Sequence, residues 1–496
     1  LTYEGSSIEI GASALSSTTD GSLVTVDKTA PTVTTSIASN NATTSLAKAA
    51  DLVTLTISSN EQLYQAPTVT IDGNAQTTNP TIAASSYTAI RTMDAADTQG
   101  VLAFIVSGIK DNAGNASSNN TATNDATSVT FDSVVPTLTG LTIAASADFD
   151  NDNATSLAKS GDVVTITFYT DAPVQTPTAS IAGETATVTG STASWTAAKT
   201  MDDDDADGVI AFTVDFSDLA GNAGTQQTAV ITGINATYDK TAPTINTAVI
   251  ASSNATNTLA TVDDVVSVSL TSNEDLYSLT NVTIAGQTVD ASDISNTNAP
   301  TWSFQYTMAI SDADGAVAFT FTANDLAGNG TTVTTATSGS VMFDKTAPTL
   351  PTVEIVSNNT NTAYAKENDI ITMTIASDED LSSAPTVLLA GRAAAVATTD
   401  AQNYTATMTM NNTDTQGAMA ISINFTDLYG NAGTAITATT NSSSVTFDRA
   451  VPTLSPVTYT SNNANTSYAK TGDIITLSFT GSEDLMSTGT GGTDPV

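Results

Sequence analysis

Carboxylates are the abundant reactive group of this 496-residue chain: 50 Asp and Glu stand against 12 Lys and Arg, with no His and no Cys, for a formal charge of −38. Without imidazole or thiol there is no Ser-His-Asp or Cys-His nucleophile, no zinc or copper site of the usual nitrogen and sulfur kind, and no disulfide. Three uses remain for so many acids. Paired carboxylates can hydrolyse glycosides, but that needs one pre-organised cleft, and here the same acids return in every repeat. Crowded carboxylates can hold a hard cation through oxygen ligands. Asp and Asn can also simply build hydrogen-bonded turns. Catalysis is therefore not expected. The negative balance argues against nucleic acid as a partner, since phosphate binding needs basic patches.

The acids sit in a long repeat. Asp27-Lys28-Thr29-Ala30-Pro31-Thr32 returns as Asp239-Lys240-Thr241-Ala242-Pro243-Thr244 and Asp344-Lys345-Thr346-Ala347-Pro348-Thr349, with weaker copies from Asp132 and Asp448. The prolines at 31, 136, 243, 348 and 452 are 105, 107, 105 and 104 residues apart. This spacing is too long for a solenoid and right for a self-contained domain. It divides the chain into 29–133, 134–240, 241–345 and 346–449, flanked by the last part of a preceding unit (1–28) and the first part of another (450–496). Asp111-Asn112-Ala113-Gly114-Asn115 and its copies at Asp218, Asp325 and Asp427 form a second landmark. A Met followed seven residues later by Gly, across an acidic or amide-rich stretch, forms a third (Met93/Gly100, Met201/Gly208, Met308/Gly315, Met410/Gly417).

Between landmarks the apolar residues alternate with a period of two, as in Val53, Leu55 and Ile57, or Val164, Ile166 and Phe168, which is the signature of half-buried strands. No stretch of ten residues shows helical periodicity. The expectation is an all-β chain of two-sheet sandwiches. If each has seven antiparallel strands A to G, parity sends the B–C and F–G loops to the upstream pole, beside the incoming linker, and the A–B and E–F loops to the downstream pole. Linker Asp, B–C carboxylate and F–G Asp then converge at each joint: Asp27 with Glu61 and Asp111, Asp132 with Asp171 and Asp218, Asp239 with Glu274 and Asp325, Asp344 with Glu379 and Asp427, and Asp448 with Glu483. The E–F loop is expected to add acids from the unit below. Such a cluster repels itself unless a cation or hydrogen bonds compensate, so calcium, bound by six to eight oxygens, is one reading. A set of Asx turns is the other.

The Asp-x-Ala-Gly-Asn turns and Asp-Lys-Thr-Ala-Pro-Thr linkers resemble those of the tandem immunoglobulin-like domains of bacterial and archaeal surface-layer proteins and giant adhesins. The resemblance covers the chain from Asp27 to residue 484. It implies a linear string of immunoglobulin-like sandwiches, and in the adhesin branch it implies calcium at these joints, with Asp111, Asp218, Asp325 and Asp427 and the linker Asp residues as ligands. It implies a non-enzymatic, extracellular structural protein of the cell surface. One form is a segment of a surface-layer coat, its identical chains associating in a lattice with divalent cations; the alternative is the stalk of a repeat adhesin or fibre. At roughly −8 charges per unit, a coat would concentrate cations near its surface.

Asn-x-Ser/Thr sequons in or near the A–B loops mark Asn41, Asn153, Asn254, Asn358 and Asn465 as candidate glycosylation sites. Lys48, Lys159, Lys366 and Lys470 recur before strand B, where the third unit has Thr261. A covalent cross-link would need its Lys in every unit, so these are expected to be surface lysines. No apolar run is long enough to span a membrane, and Leu1-Thr2-Tyr3-Glu4-Gly5 is no signal peptide. The incomplete end units are read as a window onto a longer chain, with strand donation between subunits as the other option.

Overall fold

A computed structural model describes residues 26–146 and 156–483. These fall into two compact units divided after Ala242, with Asp325–Asn329 counted in the first. The first sandwich shows how the repeat is built. Its strands are β1 (Val33–Ser39), β2 (Leu46–Ala47), β3 (Leu52–Ser59), β4 (Thr68–Ile71), β5 (Asn74–Gln76), β6 (Thr78–Asn79), β7 (Ser86–Thr92), β8 (Gly100–Val101), β9 (Phe104–Ser107) and β10 (Thr130–Phe131). One sheet has the order β1-β3-β7-β6 and the facing sheet β5-β4-β9; β2-β10-β8 closes the side, with β2 parallel to β10. In A-to-G lettering this is an A-B-E-D sheet over a C′-C-F sheet, the arrangement of an immunoglobulin-like sandwich. The second and fourth sandwiches repeat these sheet orders, the third adds a strand at Gly330–Val333 to the facing sheet, and strands Leu454–Ser461 and Ile475–Gly481 begin a fifth as an antiparallel pair. Among the described residues the single helical element is a 3₁₀ turn at Ala291–Asp293. The chain is all-β.

The strand alternation read from the sequence is the alternation of burial. Val53, Leu55 and Ile57 are fully buried while Thr54 and Thr56 between them are half-buried, because successive side chains of a strand face opposite sides of its sheet. Ile57 pairs with Tyr87, and Val69, Ile71, Phe104 and Val106 meet them from the other sheet. Tyr87, Trp195, Trp302 and Tyr404 hold one place in the four sandwiches, opposite Ile57, Phe168, Leu270 and Ile375. The two tryptophans therefore belong to the packing and form no sugar platform.

The Met-to-Gly landmark is a buried lock on the E–F loop. Met93, Met201, Met308 and Met410 are buried, and each backbone N–H donates to the carbonyl of Asp51, Asp162, Asp264 or Asp369 beside strand B. The glycine seven residues on takes φ of +116° to +124° in all four copies, a conformation that costs little only without a Cβ. The fourth residue after the Met is an Asp, half-buried at Asp97 and buried in the other three copies, whose carboxylate accepts the N–H of the residue following the Met. Its charge is met differently each time: by Arg91 at Asp97, by Lys199 at Asp205 (2.5 and 2.6 Å), by Tyr306 and Gln287 at Asp312, and by Arg392 from the C′ strand at Asp414. These E–F acids face their own sandwich. The expectation that the loop would add acids to the joint is corrected for these four, whose carboxylates are consumed by local bases and backbone N–H groups; Asp207 of the second E–F loop does lie near enough to the linker Asp239 to raise it.

Since Ile57 is fully enclosed between the two sheets, Ile57→Ala should lose about 2–5 kcal/mol from the first sandwich. Amide exchange resolved to residues 33–131 would show it, and unchanged protection there would contradict the packing described.

Candidate cation sites at the domain joints

Each joint begins with the linker Asp, which ends strand G. Asp27 Oδ1 accepts Thr29 N at 2.9 Å, and Asp132, Asp239, Asp344 and Asp448 accept the N–H two residues on in the same way. This Asx turn swings the chain into the next sandwich. The linker Lys caps the E–F loop behind it: Lys240 Nζ reaches Asp205 O at 2.7 Å and Lys345 Nζ reaches Asp312 O at 2.5 Å. Asp207 and Asp314 accept the backbone N–H groups of Lys240 and Lys345. At the far end of the linker, Thr32 N is held by Asn60, Thr244 N by Asn273, Thr349 N by Asp378 and Thr453 N by Ser482, each from the residue just before the B–C glutamate.

The Asp-x-Ala-Gly-Asn loop closes over this linker. Asp111 Oδ1 accepts Asn115 N (2.8 Å) and Asp111 Oδ2 accepts Asn115 Nδ2 (2.6 Å), while the same Nδ2 donates to the linker carbonyl Asp27 O at 3.1 Å. Asn222, Asn329 and Asn431 repeat the bridge, to Asp218 and Asp132, to Asp325 and Asp239, and to Asp427 and Asp344. Both hydrogens of one amide are thus spent tying loop to linker. The sequence reading missed this role of the asparagine, although its place at the end of every loop copy was the signal. Gly114, Gly221, Gly328 and Gly430 turn the loop at φ between +87° and +100°.

Within a single compact unit, two joints bring all three expected carboxylates together. Asp27, Glu61 and Asp111 offer oxygens within 4.8 Å of one another, and so do Asp344, Glu379 and Asp427. Burial, with the charges of Asp27 and Asp111, pushes the Glu61 carboxyl up. At Glu379, burial and the neighbouring Asp344, Asp427 and Asp378 push it from near 4.5 to about 7. Burial works to raise Asp111 as well, but the Asn115 side chain and the backbone N–H groups of Asn115, Gly114 and Ala113 hold it below the usual carboxylate range. The donor set is all oxygen, partly dehydrated and unneutralised, which fits calcium and suits neither zinc nor copper.

The other acids divide. Asp132 and Asp218 meet at the joint between the first and second sandwiches, bordering a cleft of about 230 Å3 with Ala172 and Pro136. Asp171 is corrected: its Oδ1 and Oδ2 accept the N–H and hydroxyl of Thr137 at 2.9 and 2.7 Å, so it occupies the linker-anchoring position, and the place of the glutamate is filled by Ala172. Those bonds from Thr137 hold its carboxyl below the usual range. Asp239 and Asp325 are joined through Asn329 in the first compact unit, and burial, with Asp325 and Asp207, raises Asp239. Glu274 lies in the corresponding turn of the second unit, its carbonyl accepting the Ser272 hydroxyl. Glu483 is pushed up by burial and by Asp448.

The sequon asparagines also divide. Asn41 Nδ2 donates to Asp51 Oδ2 and Ala220 O, both at 2.8 Å, and Asn254 Nδ2 to Asp264 Oδ2 (2.8 Å) and Tyr429 O (3.0 Å). A glycan is attached through that nitrogen and replaces one of its hydrogens, so it would break at least one of the two bonds at each of these asparagines. Asn358 and Asn465 are exposed; Asn153 lies outside the described residues. Lys48 and Lys159, expected to be surface lysines, instead donate to Gly221 O and Gly328 O, each at 2.7 Å.

No family model and no curated protein matches the chain. Among solved structures it is similar to a Ca2+-stabilized adhesin that helps an Antarctic bacterium bind ice (21% identity, 85% of this chain and 100% of that one, TM-score 0.43). It is also similar to part of a 1.5-MDa bacterial ice-binding adhesin (17%, 62% and 95%, 0.32) and to a tetra-tandem repeat from the extending region of a large adhesion protein (18%, 82% and 99%, 0.31).

The raised Glu379 gives the joint a pH signature. Below pH 4.5 this carboxyl is neutral whether folded or unfolded. Between about 4.5 and 7 only the unfolded chain ionises it, so the chelated fourth sandwich should lose stability as pH rises through that window. Thermal unfolding in chelator from pH 4 to 8 should show the decline, and millimolar calcium should remove it; Glu379→Gln should remove it without calcium.

Proposed function

We propose that the chain is a non-enzymatic spacer of the extracellular surface, whose immunoglobulin-like domains 29–133, 134–240, 241–345 and 346–449 are stiffened by calcium bound at their joints. The observation that carries this reading is the clustering of linker, B–C and F–G carboxylates within 4.8 Å at Asp27/Glu61/Asp111 and at Asp344/Glu379/Asp427. An ion held by three segments, one on the linker and two on the following domain, resists rotation of one domain on the next because turning would break ligation. Asp239, Asp325, Asp448, Glu274 and Glu483 are the residues of the remaining glutamate-bearing joints that would take part; at the joint of Asp132 and Asp218 that glutamate is replaced by Ala172.

Several features support a secreted structural role over chemistry. The acids are repeated, and the chain has no cysteine whose state would depend on the redox conditions of its compartment. Among the described residues no helix is long and apolar enough to cross a membrane. A stalk or fibre is favoured over a lattice coat of surface-layer type. The charge of −38 makes identical chains repel side by side unless cations intervene, whereas the hydrogen-bonded loops described above join successive domains of one chain.

Small-angle scattering of the full chain should show its maximum dimension and radius of gyration rise when calcium is added after chelation, and Glu379→Gln should blunt the change. A calcium-insensitive profile would overturn the reading. Sedimentation in calcium separates its two forms: a monomer supports the stalk, and ordered sheets or large oligomers support the coat.

A further inference from the structure

The joints differ in what reaches across them from the domain behind. In the first sandwich Lys48 follows β2, and its Nζ donates to Gly221 O at 2.7 Å, within the loop that carries Asp218 of the second sandwich. Beside it Asn41 Nδ2 donates to Ala220 O at 2.8 Å. One carboxylate positions both donors: Asp51 Oδ2 accepts Lys48 N at 2.9 Å and Asn41 Nδ2 at 2.8 Å. The contact is close. A Cβ on Gly221, whose φ is +88°, would stand 3.4 Å from Lys48 Nζ.

The joint between the third and fourth sandwiches keeps the frame and changes the charge. Asp264 Oδ2 holds Thr261 N and Asn254 Nδ2, both at 2.8 Å, and Asn254 Nδ2 reaches Tyr429 O at 3.0 Å. In place of the lysine stands Thr261, whose hydroxyl donates to Asn431 Oδ1. In place of Ala172 stands Glu379, the carboxyl pushed to about 7 by its neighbours. At the loop, an ammonium is missing and a carboxyl is added, so the 427–431 loop faces more acid and less compensating charge than the 218–222 loop does.

We propose that the joint between the first and second sandwiches is a cation-independent clamp, in which the Lys48 ammonium and the Asn41 amide hold the 218–222 loop in place of a divalent ion. A charge-assisted hydrogen bond to a carbonyl is about twice as strong as a neutral one. Its positive charge offsets one of the two carboxylates, Asp132 and Asp218, left at that joint. The contrast with the calcium-dependent joint at 427–431 rests on the function proposed above; the clamp itself does not. A chain built this way has joints of unequal calcium demand, and chelation would loosen it at chosen places.

Amide hydrogen exchange by mass spectrometry on the full chain, first in chelator and then in calcium, tests this. Protection of 218–222 should be the same in both, while calcium should slow exchange at 427–431 at least tenfold. Lys48→Met should speed exchange at 218–222 at least tenfold with or without calcium, and leave strand 53–57 unchanged, which shows the first sandwich still folded. The clamp is overturned if calcium protects 218–222 as strongly as 427–431, or if Lys48→Met leaves 218–222 unaltered. If 427–431 ignores calcium while Lys48→Met loosens 218–222, the clamp stands and the calcium reading falls.

Discussion

Like charges brought together where two domains meet are the constraint from which the rest of this structure follows. A linker of a few residues places one carboxylate at the joint, and the next sandwich adds one or two more. Water is partly excluded there, so their repulsion is poorly screened. The asparagine that ends each Asp-x-Ala-Gly-Asn loop is the first compensation: one amide nitrogen donates to the loop carboxylate and to the linker carbonyl together. That fixes loop to linker and lowers Asp111, but it leaves glutamates such as Glu379 facing two aspartates without a counter-charge. In the reading proposed above, a cation would answer the excess where glutamate is present; where alanine replaces it, Lys48 and Asn41 of the preceding domain donate to the loop instead.

Inside the sandwiches the same economy of charge appears in another form. Every E–F loop uses one aspartate to hold the loop's own N–H groups, and each copy finds a different partner for it: an arginine or lysine on strand E, an arginine on strand C′, or the neutral pair of a tyrosine and a glutamine. What the fold holds constant is the carboxylate and the turn it organises. The compensating donor can arrive from any neighbouring strand because a sandwich edge brings several of them within reach of the same point.

Much of this was legible in the residues. The period-two alternation around Leu55 or Ile166 records which face of a strand is buried, and strand parity then puts the B–C and F–G turns at the same pole. That is why Asp27, Glu61 and Asp111, distant in the chain, could be grouped in advance. Asp171 shows where the reasoning fails. One residue of offset moves a turn side chain from the joint to the linker threonine, and acidity alone does not distinguish a carboxylate facing other acids from one that caps two donors of Thr137. Asn41 and Asn254 make a related point: a sequon describes chemistry available to the nitrogen, and only packing shows that nitrogen already bonded twice.

The sequence by itself determined the repeat, the all-β sandwiches, the absence of thiol and imidazole chemistry, and the recurrence of acids at the turns, because these depend on composition and on local periodicity. Tertiary structure decided which of those acids meet, which are neutralised by a buried base, and that Lys48 and Lys159 reach out of their own domain to a neighbour's backbone. Such facts depend on distances of a few ångströms between segments about 90 to 170 residues apart, a range over which a hydrogen bond is made or lost and a Coulomb energy changes severalfold.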